Sequence, residues 1–385
     1  MGIPLTETAI VGIGQTEFSK NSGRSELQLA CEAARAAIDD AGLDPTDIDG
    51  MVTFDGDPND ELAIIRNLGI PELRWVSRTI RGGAGSGSCV HHAAAAVASG
   101  AAKNVLVFRA FNERSGRRFG QPMGGGGGYS NPAANWHLPY GLDTPAKIYS
   151  LWYQHYMDKY GVTNADFGRY TVAARKYAAK NPNAWFYNRP ITLDDHQSSR
   201  WIVEPILRLL DCCQESDGGV ALVVTTTDRA KDMRNGGVRI AAVDTSHLDG
   251  GDIMYDYYRP EAGTRFSEAA SLGTHLFERA GVTKDDIDVI MIYENFRPVV
   301  FMQLEAYGFC AEGEAKDFIA EGNIDIDGKL PVNTNGGLLG EAYIHGVNLI
   351  HEAVRQVRGT SSNQVKDVEH AMMTCGRSGM ILGKL

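Results

Sequence analysis

The sequence predicts an α/β protein whose 385 residues contain two copies of one unit, with helices on the faces of a mixed sheet. A strand–helix–strand pattern near the N-terminus returns in the second half of the chain. A Gly-rich turn that leads into an apolar helix also occurs once in each half. Both correspondences keep their register over long stretches, and alternating strands and helices of this kind form a parallel or mixed sheet.

The first correspondence begins with the apolar run at 8–14, which we interpret as a strand. Ser25 caps the helix that follows, because its hydroxyl can accept a hydrogen bond from the first helical turn. Apolar residues then recur at helical spacing until the chain reaches a Gly. The same pattern returns 239 residues later (280 minus 41). The matched segments are Ala41-Gly42 with Ala280-Gly281, and Asp47-Ile48-Asp49 with Asp286-Ile287-Asp288.

The second correspondence has an offset of 259 residues (346 minus 87) and places a Gly-rich turn before a helix in each half. It pairs Gly87 with Gly346, Gly100 with Gly359, and Ala84 with Tyr343. Gly lets a backbone approach a ligand closely, and a helix start offers free N–H groups to an anion or an enolate oxygen. We therefore predict that the stretch 333–346 forms half of an active site.

A long segment between the two copies is expected to form an inserted loop domain with a binding role. The predicted parts are an N-terminal half at 1–113 and 202–235, the inserted loop domain at 114–201, and a C-terminal half at 236–385. Within the insertion, Gly124 to Gly128 is too short and unpatterned for a phosphate loop. It is better interpreted as a flexible lid or a partner-binding segment.

Composition excludes several classes of function. The net charge of −11 argues against nucleic acid or an anionic membrane as the main partner. No apolar run is long enough to span a membrane, and the N-terminus lacks the pattern of a signal peptide. The six cysteines are scattered without a C-x-x-C spacing, which argues against a disulfide framework or a zinc site. We therefore expect a cytoplasmic protein without a metal site.

Several motifs together resemble the thiolase-fold proteins of the sterol-carrier, lipid-transfer type. Besides the duplicated halves, the motifs are Lys180-Asn-Pro-Asn-Ala, Ser199-Arg-Trp-Ile-Val-Glu-Pro, and Asp211-Cys-Cys with Ser216-Asp-Gly-Gly. The resemblance covers nearly the whole chain. It implies a thiolase fold, in which two duplicated βαβαβ-type halves pack as a layered α/β structure, and it implies a homodimer.

The resemblance also identifies the positions where thiolases keep their catalytic groups. The nucleophilic Cys falls on Ala84, the Asn or His of the second motif falls on Tyr293, and the activating His falls on Tyr343. The final Cys-containing loop falls near Cys375. Acyl transfer needs a thiolate that holds the acyl group, which Ala84 cannot supply. Thiolase activity is therefore not expected unless Cys89 or Cys375 replaces the lost nucleophile.

Retro-aldol cleavage of a β-hydroxyacyl thioester needs no nucleophile, only a base, an oxyanion site and a proton donor. Two tyrosines can serve if the site lowers the phenol pKa or couples it to a neighbour. Tyr at both positions resembles the thiolase-fold aldolases of steroid side-chain degradation. This implies cleavage of a 17-hydroxy steroid acyl-CoA to a 17-ketosteroid and propionyl-CoA. It also implies a small zinc-ribbon/OB-fold partner and no cofactor, since CoA belongs to the substrate.

On this hypothesis Tyr343 is the base for the β-hydroxyl and Tyr293 is the proton donor to the enolate, although the roles could be exchanged. Asn295 either contacts the enolate or hydrogen-bonds backbone. His345 either tunes Tyr343 or merely packs, and Cys375 could be a remnant of thiolase acid/base chemistry.

Arg114, Arg117 and Arg118 are candidates for contacts with the CoA phosphates, against the alternative of solvated surface charge. Two alternative functions stay open at this point. One is a thiolase-like acyltransferase with a displaced Cys, and the other is a non-catalytic acyl-CoA-binding subunit.

Overall fold

The computed structural model describes residues 2–79, 83–116, 118–122, 134–248 and 266–385, so Arg117 and Gly124 to Gly128 lie outside the described residues. The strands are β1 (Thr8–Gln15), β2 (Gly50–Phe54), β3 (Trp75–Thr79), β4 (Val105–Asn112), β5 (Trp201–Val203), β6 (Leu207–Arg208), β7 (Asp217–Thr226), β8 (Val238–Thr245), β9 (Val289–Ile292), β10 (His370–Thr374) and β11 (Ser378–Lys384). The helices are α1 (Glu26–Ala41), α2 (Glu61–Leu68), α3 (Ser86–Ser99), α4 (Ala134–His137), α5 (Pro145–Tyr160), α6 (Asn164–Ala178), α7 (Leu193–Ser198), α8 (Thr227–Ala230), α9 (Ser267–Ala280), α10 (Pro298–Ala306), α11 (Ala315–Ala320), α12 (Gly337–Gly340) and α13 (Val347–Arg358).

A nine-stranded mixed sheet runs through both halves in the order β3-β2-β4-β7-β1-β8-β11-β10-β9. The order β2-β4-β7-β1 on one side is mirrored by β9-β10-β11-β8 on the other. β1 and β8 meet at the centre as antiparallel neighbours. β2 runs parallel to β3 and β4, and β9 runs parallel to β10, whereas the remaining pairs of the large sheet are antiparallel. The predicted duplication and mixed sheet are confirmed.

The apolar side chains form three layers of core because alternate strand residues face opposite sides of the sheet. One set packs with α3 and α13 between the two halves of the sheet: Val52, Val107, Leu222, Met291 and Met373. A second set in the N-terminal half packs with α1 and α2: Met51, Leu106, Phe108 and Val223. A third set in the C-terminal half packs with α9 and α10: Ile290, Ile292, Met372 and Ile381. The result is an α/β/α/β/α arrangement with α3 and α13 at its centre.

Helix ends confirm the register predicted for the two copies. α1 and α9 end at Gly42 and Gly281, and α3 and α13 end at Gly100 and Gly359, all in the left-handed conformation. One detail of the second register differs. Gly346 precedes the first residue of α13 with φ of 79°, whereas Gly87 already lies inside α3. Gly87 is needed there because a Cβ would come within 2.7 Å of the Gly379 nitrogen.

The predicted insertion contains helices α4 to α7 and supports the stretch 333–346. Asn181 Nδ2 donates to the Asn335 carbonyl and to Glu341 Oε1, each at 3.0 Å. The Trp185 N–H donates to the Glu341 carbonyl at 2.9 Å. These contacts hold the stretch 333–346 against the insertion. Across the described ranges, no helix combines the length and apolar character needed to cross a membrane.

Candidate active site

Two tyrosine hydroxyls form the centre of the site. Tyr293 follows β9, and Tyr343 lies between α12 and α13. Their hydroxyl oxygens are 2.7 Å apart, with the ring centroids at 6.1 Å and an interplanar angle of 57°. Gly83 makes room for the pair, because a Cβ there would come within 1.8 Å of the Tyr293 hydroxyl oxygen. The fold and the space left by Gly83 thus bring together the two phenols that the sequence motifs identified.

Both tyrosines line a cavity of 1190 Å³, a volume suited to a large organic ligand. The other three predicted catalytic residues, Asn295, His345 and Cys375, line the same cavity. One part of its wall is apolar and includes Tyr149, Phe266, Phe296 and Val299. Another part is charged and includes Lys20, Glu113, Arg114, Arg118 and Glu215. The cavity therefore suits a ligand with one apolar and one charged portion.

Burial raises the pKa of both phenols well above the ordinary value of a tyrosine. The neighbouring Tyr343 raises the pKa of Tyr293 further. For Tyr343 the hydrogen bond from Tyr293 and the charge of Arg109 oppose the rise without overcoming it. The sequence left two options, a lowered phenol pKa or coupling to a neighbour. The hydrogen bond between the two hydroxyls provides the coupling, whereas burial raises the pKa of both phenols instead of lowering it.

His345 packs against Tyr343 and is held by a buried ion pair. Its ring lies edge-on to the Tyr343 ring, with centroids 5.3 Å apart and an angle of 89°. Arg109 Nε donates to His345 Nδ1 at 3.0 Å, and Arg109 Nη1 contacts Asp57 Oδ2 at 2.6 Å. Because Nδ1 accepts this bond, the imidazole proton resides on Nε2. Burial and the Arg109 charge lower the pKa of His345 well below its ordinary value, so the ring is neutral.

Sequence reasoning missed Arg109 and Asp57. A signal was present, since Arg109 interrupts an otherwise apolar strand, and a charged residue in a central strand needs a partner. The guanidinium lies over the rings of Phe54 and Phe111, at 5.5 and 4.4 Å from their centroids. These contacts fix Arg109, and through it the His345 ring beside Tyr343.

Neither candidate cysteine is placed to act as a thiolate. Cys375 Sγ is 2.8 Å from Ser86 Oγ, and burial raises the pKa of its thiol to about 12. Cys89 lies inside α3, 3.1 Å from Thr79 Oγ1, and burial raises its pKa to about 12 as well. Both thiols are protonated at neutral pH and are weak nucleophiles in that form.

Glu294, which follows Tyr293, connects the Tyr293 motif to the stretch 333–346 through buried hydrogen bonds. Its carboxylate accepts from the Tyr170 hydroxyl at 2.8 Å and contacts the Asn333 amide. Burial raises the pKa of Glu294 to about 8. Asn333 also bonds the backbone of Ile292 in both directions, at 2.7 and 2.9 Å. This network sets the position of Tyr293. Asn295 is half-buried, and its carbonyl accepts from the Cys213 N–H at 3.1 Å.

Two of the three candidate arginines line the cavity, while Arg117 lies outside the described residues. Arg118 pairs with Glu215 at 2.5 Å and so has part of its charge matched within the protein. Lys20, which sequence reasoning missed, lies close to Arg114, and burial followed by that charge lowers its pKa to about 8. In the part of the chain that the structure describes, no group of three or more His, Cys, Asp or Glu could hold a metal ion.

Comparison with known proteins identifies the family. The family model "Thiolase C-terminal domain-like" matches residues 258–382. The chain is 55% identical to a steroid side-chain-cleaving aldolase of Thermomonospora curvata, over 97% of each chain. It is 50% identical to the 17-hydroxy-3-oxo-4-pregnene-20-carboxyl-CoA lyase of Mycobacterium tuberculosis, over 98% of this chain and 99% of that protein.

Among solved structures, the fold matches the "Ltp2-ChsH2(DUF35) aldolase" with a TM-score of 0.92. The sequence identity is 52%, and the match covers 98% of both chains. The fold class predicted from the duplicated halves is therefore confirmed, and so is the resemblance on which the site was assigned. The chain belongs to the thiolase-fold family of steroid side-chain-cleaving aldolases.

Proposed function

We propose that this protein is a carbon–carbon lyase that cleaves a 17-hydroxy steroid acyl-CoA to a 17-ketosteroid and propionyl-CoA by a retro-aldol reaction. The observation that carries the proposal is the pair of hydroxyls of Tyr293 and Tyr343 at 2.7 Å on the wall of a large cavity. The names of the Thermomonospora curvata and Mycobacterium tuberculosis relatives support the substrate class.

The paired phenols act as a proton relay in this reaction. The β-hydroxyl gives its proton to the Tyr343 oxygen, while Tyr343 passes its own proton to Tyr293. Tyr293 in turn delivers its proton to the α-carbon. The electron pair of the broken O–H bond forms the ketone, and the pair of the broken C–C bond forms the thioester enolate that takes up the delivered proton. No proton is gained or lost overall.

The relay agrees with the raised pKa of both phenols, because neither has to exist as a free phenolate before the substrate binds. Either hydroxyl can donate across the short bond between them. The pair returns to its starting state when the two O–H groups rotate. His345, held by Arg109, keeps the Tyr343 ring in the orientation that this transfer needs.

We propose further that Asn295 contacts the thioester, and that Arg114, Arg118 and Arg117 meet the phosphates of CoA. Arg114 and Arg118 lie in the charged part of the cavity wall, which supports this placement. Cys375 then has only a packing role. The reaction as written needs no cofactor besides the CoA of the substrate.

The assembly is also a proposal. The name of the matched aldolase structure joins two proteins, Ltp2 and ChsH2, and this supports a partner protein. We propose that the partner is a small zinc-ribbon/OB-fold protein and that this chain forms a homodimer. We also propose that the chain divides into three parts, which are 1–113 with 202–235, 114–201, and 236–385. The cytoplasmic location is likewise a proposal.

The test is a product assay with the purified protein, with and without the small partner. 17-Hydroxy-3-oxo-4-pregnene-20-carboxyl-CoA, the compound in the name of the Mycobacterium tuberculosis relative, serves as the substrate. We expect equal amounts of propionyl-CoA and the 17-ketosteroid. Intact-mass analysis after incubation with acyl-CoA should show no acyl adduct. An adduct on Cys89 or Cys375 would favour the acyltransferase, and binding without cleavage would favour the non-catalytic subunit.

A further inference from the structure

A buried carboxyl group on the cavity wall takes no part in the proton relay. Glu113 directly follows β4, is 1% exposed, and lines the same cavity as Tyr343. Its Oε2 atom has no hydrogen-bond partner among the residues that the structure describes. The backbone N–H groups of Ser216 and Phe119 lie close enough to the carboxyl to lower its pKa and so oppose the effect of burial. Leaving a buried polar atom unpaired is costly, so an unpaired oxygen on a residue that lines a cavity points to a ligand.

The charges around Glu113 determine its protonation state. The groups that interact with it are Glu215, Lys20, Cys213 and Tyr343, and Lys20 in turn lies close to Arg114. Burial raises the pKa of Glu113 to about 9, the negative charge of Glu215 adds to the rise, and Lys20 opposes it. Lys20 is partly occupied elsewhere, since its Nζ donates to Gln214 Oε1 and to the Glu215 carbonyl. Glu113 is therefore a neutral acid at neutral pH and can donate a hydrogen bond.

The position of Glu113 indicates which part of the substrate it meets. It belongs to the charged part of the wall with Lys20 and Arg114, and it is also close enough to Tyr343 to influence that phenol. In an acyl-CoA the thioester carbonyl is bonded directly to the reacting α-carbon, and the pantetheine arm separates it from the nucleotide. A substrate with its reacting carbons at Tyr343 therefore brings its thioester oxygen among the groups that neighbour Tyr343, and Glu113 is one of them.

We propose that Glu113 is a third catalytic residue, whose protonated carboxyl donates a hydrogen bond to the thioester oxygen and stabilises the enolate that forms there. This inference rests on the proposed lyase function. The proton stays on Glu113 throughout, so the relay between the tyrosines remains balanced. A neutral acid in a dry site is effective because its bond to the oxygen strengthens as negative charge develops.

The kinetic test compares Glu113→Gln with Glu113→Ala in single-turnover assays between pH 6 and pH 10. Gln keeps a donor but cannot ionise, whereas Ala removes the donor. We expect Glu113→Ala to lower the rate of cleavage about 100- to 1000-fold and Glu113→Gln to stay within about tenfold of the wild type. The wild type should lose activity as the pH rises through about 9, where Glu113 ionises, and Glu113→Gln should not.

Glu278→Ala, on the surface of α9, is the matched control, and thermal unfolding checks that each variant is folded. A Glu113→Ala variant with wild-type rates would overturn the proposal while leaving the lyase function intact. Equal, complete loss in both variants would also overturn it, because that result means that Glu113 transfers a proton.

An infrared measurement tests the donor independently of turnover. Glu294 is also protonated at neutral pH, so the band of Glu113 is taken from the difference spectrum between the wild type and Glu113→Gln, which should show the carbonyl stretch of one protonated carboxyl. Propionyl-CoA, which cannot be cleaved but carries the same thioester oxygen, should shift this band to lower frequency. A shift in a protein that does not cleave the steroid thioester would support the contact and refute the lyase. No shift in an active enzyme would refute the contact alone.

Discussion

Tyr343→Phe is the substitution that most directly tests the relay. It removes the oxygen that takes the substrate proton and breaks the 2.7 Å bond to Tyr293. General acid–base catalysis contributes about 100- to 10,000-fold to a rate, and we expect a loss of kcat in this range with little change in KM. The buried Tyr293 hydroxyl loses its partner, which should lower the free energy of unfolding by about 1–3 kcal/mol.

A double-mutant cycle separates a relay from two independent roles. If the phenols act as one unit, Tyr293→Phe, Tyr343→Phe and the double variant should be almost equally slow. The double variant should also regain stability relative to Tyr343→Phe, because both buried hydroxyls are removed together. Rates are measured by release of propionyl-CoA, and stability by denaturant unfolding.

Tyr177→Phe is a matched control, since Tyr177 is equally buried and its hydroxyl donates to the Ile324 carbonyl at 2.9 Å. We expect a comparable loss of stability and wild-type turnover. The relay is refuted if Tyr343→Phe cleaves the steroid thioester at the wild-type rate. It is also refuted if the losses from the two single Phe variants multiply in the double variant.

Three further substitutions test the surroundings of the pair. Gly83→Ala should lower kcat at least as much as the loss of one phenol, because its Cβ would lie 1.8 Å from the Tyr293 hydroxyl; an active variant would show that the pair tolerates displacement. Arg109→Met should destabilise the protein by about 3–5 kcal/mol in denaturant unfolding, since it leaves Asp57 charged and buried, and adding Asp57→Asn should recover most of the loss. Cys375→Ser should retain turnover because the thiol is protonated; complete loss of turnover in a folded variant would give Cys375 a catalytic role.

The features that sequence alone predicted correctly depend on local pattern. The duplicated halves could be recognised because each of the four matched helices ends at a Gly in the left-handed conformation, such as Gly100 and Gly359. The spacing between these Gly residues can be read from the sequence without knowledge of the tertiary packing. The positions of Tyr293 and Tyr343 followed from motifs of the same kind, and the family was identified from them. The sequence thus determined the fold class and singled out the two phenols of the proposed relay.

Tertiary structure decided how those phenols are held and when they ionise. The hydrogen bond between Tyr293 and Tyr343 joins residues 50 positions apart, and the bond from Arg109 to His345 joins residues 236 apart. Contacts between residues so far apart in the chain leave no periodic pattern in the sequence. The pKa of Glu113 depends on the exclusion of water by neighbours that come from other parts of the chain. A residue's type and spacing are written in the sequence, whereas its solvation and its distant partners exist only after the chain has packed.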